Sequence, residues 1–326
     1  MFIALSRREL LFAAAVAVSR GFAAPATRHR EPFRGVFIIM QTPFLENSAK
    51  AVDETSLARE ADFLCRCGVH GMVWPALAGE TNQLTHEERM RFPETVVKAA
   101  RGRVPVAIGV HGKTNEEAVE FARNAERIGA DALIALGRRD ETKDSSELEA
   151  YYTAIASASK LPLIIQVSNE TMTVDFNIRL ARKLPTVRYV KEENSPVPAL
   201  VTRYVKEAKG LLTVSTGGGA RNFMNEMARG SDGTMPGAGF GDIQAQIWDW
   251  YQAGKKKQAR ELFAKMLMMA VLEQHTGYIV QKEILRLRGV FSTTVMRYTK
   301  KMNMDELDQR ELNDIFEVLR PYFRVK

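Results

Sequence analysis

Lys191 closes the short run Val187-Arg188-Tyr189-Val190 and is followed at once by Glu192 and Glu193. The β-branched and aromatic residues of that run mark it as a strand. A lysine at the C-terminal end of such a strand is a candidate imine-forming amine. Side chains alternate across a strand, so Tyr189, Lys191 and Glu193 share one face. That face sets an amine beside a carboxylate in one pocket. The competing assignments are a solvated surface lysine for Lys191 and a loop salt bridge for Glu193. The elements around them decide.

Those elements repeat from residue 35 onward. Apolar, β-branched runs fall at Gly35–Pro43, Val69–Pro75, Val104–Val110, Ala132–Leu136, Leu161–Val167, Thr186–Val190, Leu211–Ser215 and Gly233–Met235. Between them lie segments with charged faces that read as helices: Glu54–Cys67, Thr85–Arg101, Asn115–Ile128, Ser145–Ser159, Asp175–Leu184, Pro198–Ala208 and Ala220–Arg229. Thr85 with Glu88, and Thr114 with Glu117, have the spacing of a capping box. This alternation predicts α/β structure, a (β/α)8 barrel over residues 33–240. An open doubly wound sheet is the alternative, but no Gly-x-Gly-x-x-Gly follows the first run. Residues 241–326 read as a helical extension packed on the barrel, with segments Asp242–Gln252, Lys255–Gln274, Gly277–Arg288 and Asp305–Leu319. The Met266–Met269 cluster reads as core or interface packing.

In such a barrel the reacting groups come from strand ends and the loops after them. Those ends supply Thr42-Pro43-Phe44, Ala78-Gly79-Glu80-Thr81, Gly109-Val110-His111-Gly112, Gln166, Lys191-Glu192-Glu193 and Thr216-Gly217-Gly218-Gly219. In this order and spacing, with Leu84-Thr85-x-Glu87-Glu88-Arg89 and Gly129-Ala130-Asp131, the set resembles the dihydrodipicolinate synthase / N-acetylneuraminate lyase family over residues 33–322. The resemblance implies a (β/α)8 barrel, a homotetramer, no cofactor, and a Schiff base between Lys191 and a 2-oxo acid. Several positions depart from the family pattern. Ala76-Leu77-Ala78-Gly79-Glu80 stands where many members carry Gly-Thr-Thr-Gly-Glu, so only backbone N–H groups remain there as donors. Gln166-Val167 replaces the strand-ending Tyr-Asn whose phenol relays protons, and Arg138-Arg139-Asp140 replaces Pro-Tyr-Tyr. No arginine near Asn169–Thr171 matches the one that binds a second carboxylate in the synthase. The Gln166 and Glu193 pattern looks like the branch containing 2-keto-3-deoxy-L-arabonate dehydratase.

The chemistry expected of this set begins with attack of Lys191 on the C2 carbonyl of a 2-oxo-3-deoxy sugar acid. The cationic imine acidifies C3, a base takes that proton, and the C4 hydroxyl leaves as water. An ordinary lysine at ~10.4 is protonated at neutral pH, so such a site must bring the amine down to about 8. Glu193 opposes this unless it is partly buried and shares a proton with Lys191, in which case the two titrate jointly. Glu193 is therefore the expected acid/base, with Gln166 orienting a hydroxyl or water. An interior hydrogen bonder is the alternative for Gln166. Backbone N–H groups of Ala78 and Gly79, with Thr81, are expected to take the C1 carboxylate. Thr42 and Gly217 line the same end. Arg221 or Arg139 is expected at distal hydroxyls or a second carboxylate, and His111 is a candidate contact. Surface ion pairs and packing are the alternatives for these three. Rivals to the dehydratase are a pyruvate-releasing aldolase and a catalytically impaired sugar-acid-binding barrel.

Composition is that of a globular protein, with 45% hydrophobic and 26% charged residues among 326. The net charge of +7 suits anionic metabolites, and no dense basic stripe with aromatics points to nucleic acid. No Cys/His spacing for zinc occurs, and Cys65 and Cys67 lie two apart on one predicted helix, badly placed to bridge. Ser6-Arg7-Arg8-Glu9, an apolar run Leu10–Val18 and small residues through Ala26 read as a twin-arginine export signal over residues 1–26, implying a periplasmic mature chain. The run is shorter than the ~20 residues that span a bilayer. Its removal lowers the net charge to +5, three arginines and one glutamate leaving together. Replacing Arg7 and Arg8 together by lysine is expected to hold the full-length chain in the cytoplasmic fraction of a bacterial host. Unchanged periplasmic recovery on fractionation refutes that assignment.

Overall fold

The structure is a computed structural model describing residues 29, 31–47, 50–137, 145–167, 169–298 and 303–325. The segment read as an export signal, and Arg138, Arg139 and Asp140, lie outside the described residues. Eight parallel strands close into a barrel in chain order. They are β1 (Gly35–Ile39), β2 (Gly71–Trp74), β3 (Val106–Gly109), β4 (Ala132–Leu136), β5 (Leu163–Gln166), β6 (Val187–Glu192), β7 (Thr213–Thr216) and β8 (Gly233–Thr234). The two-residue β8 closes the ring, pairing Gly233 and Thr234 with Gly35 and Val36 of β1 and with Ser215 and Thr216 of β7. This is the (β/α)8 barrel expected from the alternation, with helices Gly241–Gln252, Lys256–Thr276, Ile279–Leu287 and Glu306–Leu319 following it.

Each strand is covered on both faces, which is why the sequence shows continuous apolar runs rather than alternation. Outward side chains such as Val36, Ile38, Trp74 and Ile165 pack beneath the helices. Inward ones, among them Phe37, Val73, Ile134, Ile164 and Tyr189, fill the barrel. Phe37 fits because Gly71 lies in register beside it, where a Cβ would come within 2.3 Å of the ring. At the base, Phe33 stacks on Tyr189 with centroids 5.5 Å apart and donates its N–H to the phenol oxygen at 3.0 Å. Tyr189 thus plugs the floor one layer below Lys191, on the same face, as the period of two requires.

Local chemistry sets the helix boundaries. The stretch expected as one helix from Thr85 to Arg101 is two, His86–Arg91 and Pro93–Ala100. Pro93 has no N–H to donate and its ring crowds the preceding turn. Thr85 and Glu88 form the full capping box, at 3.2 and 2.9 Å. At Thr114 the box is shifted: its hydroxyl accepts the Glu117 N–H at 3.2 Å, while Glu117 reaches back to the Lys113 N–H at 2.6 Å. The expected helix Ala220–Arg229 forms as a 3-10 turn, Gly218–Ala220, followed by Phe223–Ala228. Cys65 and Cys67 are both free, and Met266 and Met269 are buried. Among the described residues, no helix is long and apolar enough to cross a membrane.

One buried ion pair joins two helices of the extension, Gly241–Gln252 and Ile279–Leu287, and rests against the barrel helix that carries Phe63. Arg288 forks onto both oxygens of Asp242, each at 2.7 Å, and donates to the Val325 carbonyl at 2.6 Å. Its guanidinium lies 4.6 Å over Phe63 and 4.1 Å over Phe323. Both charged side chains are almost fully enclosed, at 2% and 0% exposure. Asp242→Ala leaves the guanidinium buried without its counter-charge, and is expected to destabilise the fold by about 3–5 kcal/mol. The unfolding midpoint in urea reads this; a wild-type midpoint refutes the anchoring role.

Candidate active site

Strands β5 and β6 run with Gln166 beside Lys191, and both side chains enter the cavity at the C-terminal mouth of the barrel. Lys191 is 5% exposed, so it is no surface lysine. Its Nζ lies 3.2 Å from Glu193 Oε1. Glu193 Oε2 accepts a hydrogen bond from Gln166 Nε2 at 2.6 Å. A single carboxylate therefore bridges the amine and the amide. The salt bridge and the interior hydrogen bond, raised as bland alternatives, are here the contacts that assemble the site.

The position of Glu193 is built from both sides. Glu192 faces outward, where its Oε1 accepts the Asn194 N–H at 2.7 Å. Burial pushes its carboxyl up to about 7, and Tyr204 hydrogen-bonds to it. The Tyr204 oxygen accepts Asn177 Nδ2 at 2.7 Å, and burial raises that phenol above its ordinary value. With the turn after β6 pinned in this way, Glu193 is directed inward. On the other side, Gly217 donates its N–H to the Glu192 carbonyl at 3.1 Å. A Cβ at Gly217 would stand 2.2 Å from Glu193 Oε1. Gly217 contributes space, not a ligand contact. Thr216 before it donates to Glu226 at 2.6 Å, a carboxyl that burial pushes up to about 7.

A cavity of about 570 Å³ opens above this pair. Of the expected binding residues, Ala78 and Arg221 reach its wall, whereas Thr42, Gly79, Thr81, Gly217 and His111 do not. Thr42 lies fully buried behind the wall, donating to the Gly79 carbonyl at 2.5 Å and accepting Trp74 Nε1 at 3.1 Å. The N–H groups of Gly79 and Thr81 both go to the Ala76 carbonyl, at 2.9 and 3.3 Å. The carboxylate donors expected from this loop therefore reduce to Leu77 and Ala78, which open the turn Leu77–Gly79 and have no acceptor within it. The Thr81 hydroxyl is enclosed without a partner. His111 packs behind the barrel with Nε2 buried and unpaired, and burial beside Arg89 takes its pKa down to about 3, so it is neutral. Arg139 lies outside the described residues.

Glu80, the next residue in the loop, holds the far side of the cavity. It takes a left-handed backbone, φ 58°, and is 2% exposed. Its Oε1 accepts Lys282 Nζ at 2.5 Å, and its Oε2 accepts the N–H groups of Arg297 and Tyr298, each at 2.8 Å. Lys282 is fully enclosed, sits 4.6 Å over the Phe44 ring and donates to the Val295 carbonyl at 2.8 Å. Burial lowers its pKa from the usual lysine value, against the pull of Glu80. Arg297 forks onto Glu88, both contacts at 2.7 Å. Residues 295–298 are thereby strapped across the barrel mouth, and Met296 and Tyr298 face the cavity. Sequence reading gave Glu80 no role and missed Lys282. The polar run Gln281-Lys282-Glu283 looks like a solvent face, yet all three are buried. An unbroken polar triplet between the apolar pairs Ile279-Val280 and Ile284-Leu285 was the available signal.

The sequence matches the dihydrodipicolinate synthetase family over residues 32–317. It is 36% identical over 167 residues to 4-hydroxy-tetrahydrodipicolinate synthase of Phenylobacterium zucineum (strain HLK1), covering 50% of this chain and 55% of that protein. It is 28% identical over 229 residues to Escherichia coli (strain K12) "Probable 2-dehydro-3-deoxy-D-pentonate aldolase YjhH", covering 68% of this chain and 80% of that one. A crystal structure of dihydrodipicolinate synthase superposes with TM-score 0.80 at 25% identity, over 88% of this chain and 99% of the other. With the closed eight-stranded barrel and a lysine buried at the end of β6, these matches place the chain in the dihydrodipicolinate synthetase family, a family of lyases and aldolases.

Proposed function

We propose that this family member is an imine-forming hydro-lyase acting on a 2-keto-3-deoxy sugar acid. The observation that carries the reading is the shared carboxylate. Glu193 touches the Lys191 amine with one oxygen and the Gln166 amide with the other, and the position beside Lys191 in β5 holds an amide where a phenol would relay protons. An amide cannot titrate, so every proton transfer near C3 falls to Glu193.

The steps follow from that constraint. Lys191 passes its proton to Glu193, attacks C2 and, on loss of the carbonyl oxygen as water, forms the cationic imine. Glu193, once again a carboxylate, removes a proton from C3, and the C3–H electrons form the enamine. Those electrons return to expel the C4 hydroxyl, which leaves as water with the proton that Glu193 took from C3. Hydrolysis of the imine restores the amine. The Leu77 and Ala78 N–H groups are suited to the C1 carboxylate, since both residues line the cavity and open the turn Leu77–Gly79. A retro-aldol cleavage is the second reading, favoured by the named function of the pentonate aldolase relative. It uses the same imine and the same carboxylate, drawing the proton from the C4 hydroxyl and releasing pyruvate.

Incubation with pyruvate and borohydride is expected to add a reduced adduct to Lys191, and Lys191→Ala to abolish both adduct and turnover. A mass spectrum with no adduct ends the imine reading. Product analysis on 2-keto-3-deoxy acids separates water loss from pyruvate release, and adduct without turnover identifies a binding barrel. Glu193→Gln is expected to lower turnover by ~10²–10⁴-fold while leaving the adduct measurable. Gly217→Ala pushes a methyl group into Glu193 and is expected to lose at least ~10²-fold in turnover with an unchanged circular dichroism spectrum. Wild-type turnover in that variant refutes the placing of Glu193.

A further inference from the structure

The cavity is far larger than the imine chemistry alone requires, and its outer wall carries groups that the reaction does not use. Arg221 and Glu273 both line it, one from the turn after β7 and one from the helix Lys256–Thr276. Arg221 makes no hydrogen bond or salt bridge with the described residues, although its charge acts on Glu273. Glu273 is held from behind. The Gln281 amide oxygen accepts the Gly239 N–H at 2.8 Å, so its NH₂ must face Glu273, where it donates to Oε2 at 2.7 Å. A Cβ at Gly237 would stand 2.6 Å from the Gln281 amide carbon, so the amide has no room to turn. The second Glu273 oxygen has no partner among the described residues. Gly218 and Gly219, at φ +61° and +68°, shape the turn between the two groups. Hypothetical Cβ atoms there come within 3.7 Å of Arg221 Nη2 and 3.9 Å of Glu273 Oε2.

We infer that Glu273, oriented by Gln281, forms with Arg221 a distal subsite that selects a polyhydroxylated tail and rejects a second carboxylate. The inference rests on the reading of Lys191 as the group that binds the 2-oxo acid. A lone arginine at the end of this cavity would draw a dianionic substrate by charge. With Glu273 beside it the two charges balance, and a second carboxylate gains from one and is repelled by the other. Vicinal hydroxyls suit the pair better, since they can donate to the free carboxylate oxygen and accept from the guanidinium. Gln281 acts as a positioning residue, holding the carboxylate where that free oxygen faces the cavity.

The test compares three 2-oxo acids of equal chain length: 2-oxohexanoate, 2-oxoadipate and a 2-oxo-3-deoxyhexonate. Calorimetric titration of full-length Lys191→Ala reports tail recognition without the imine. The hydroxylated acid is expected to bind about tenfold or more tighter than 2-oxohexanoate, the scale of one hydrogen bond to a charged group, and 2-oxoadipate no tighter than 2-oxohexanoate. Adding Glu273→Gln is expected to reverse the order, weakening the hydroxylated acid and strengthening 2-oxoadipate. A general structural defect would weaken all three alike. Equal binding of the three acids, tightest binding of 2-oxoadipate by the parent, or a uniform shift in the double variant each overturns the subsite. Failure of borohydride trapping with pyruvate on the unsubstituted chain strikes the imine reading instead, and leaves this comparison decisive for the tail.

Discussion

A lysine only 5% exposed at the end of a barrel strand has little solvent around its charge, and the site is organised by what makes up for that loss. Here the replacement is one carboxylate, Glu193, 3.2 Å away. Burying the amine alone would cost several kcal/mol, and the partner that offsets this is a carboxylate whose side chain is still 28% exposed to the cavity. Gln166 occupies the second oxygen and limits how the carboxylate can swing. The register between β5 and β6 is therefore a chemical requirement as much as a structural one. A one-residue slip of β6 would carry Lys191 to the helix-facing side and bring Glu192 inward.

Much of the architecture is legible from pattern alone. The alternation of apolar runs and charged segments counts out eight units, and the period of two within Tyr189-Val190-Lys191-Glu192-Glu193 puts Lys191 and Glu193 on one face. Both are local signals. Positions that depend on how loops pack are not legible in that way. Thr42, Thr81 and His111 sit at strand ends, where the site was expected, but their side chains turn behind the wall. Gly217 follows the seventh strand end and was expected as a contact on that ground, but its effect passes through Glu193. Glu80 and Lys282 stand 202 positions apart, and no local spacing connects them.

The two enclosed ion pairs fix the helical extension in different ways. Asp242 with Arg288 joins two helices of the extension to each other, with the guanidinium over Phe63 of the barrel helix Glu54–Cys67 and over Phe323. Glu80 with Lys282 fastens the extension to the barrel at the mouth, beside Phe44. Such pairs contribute little net stability compared with well-packed apolar groups, but a charge left alone in either place is heavily penalised. That asymmetry makes them effective at fixing one arrangement of the extension against others.

The grip of Glu80 on residues 297 and 298 is made through main-chain N–H groups. Any residue except proline supplies such a donor at position 298, and the same holds for the main chain of position 297. This part of the clamp is therefore indifferent to the side chains at 296 and 298, while Arg297 is held besides by its fork onto Glu88. Met296 and Tyr298 can drift through evolution or be randomised in the laboratory without loosening the attachment, while Lys191, Glu193 and Gln166 stay untouched on the strands beneath. A catalyst with that division can change its diet by rewriting its ceiling.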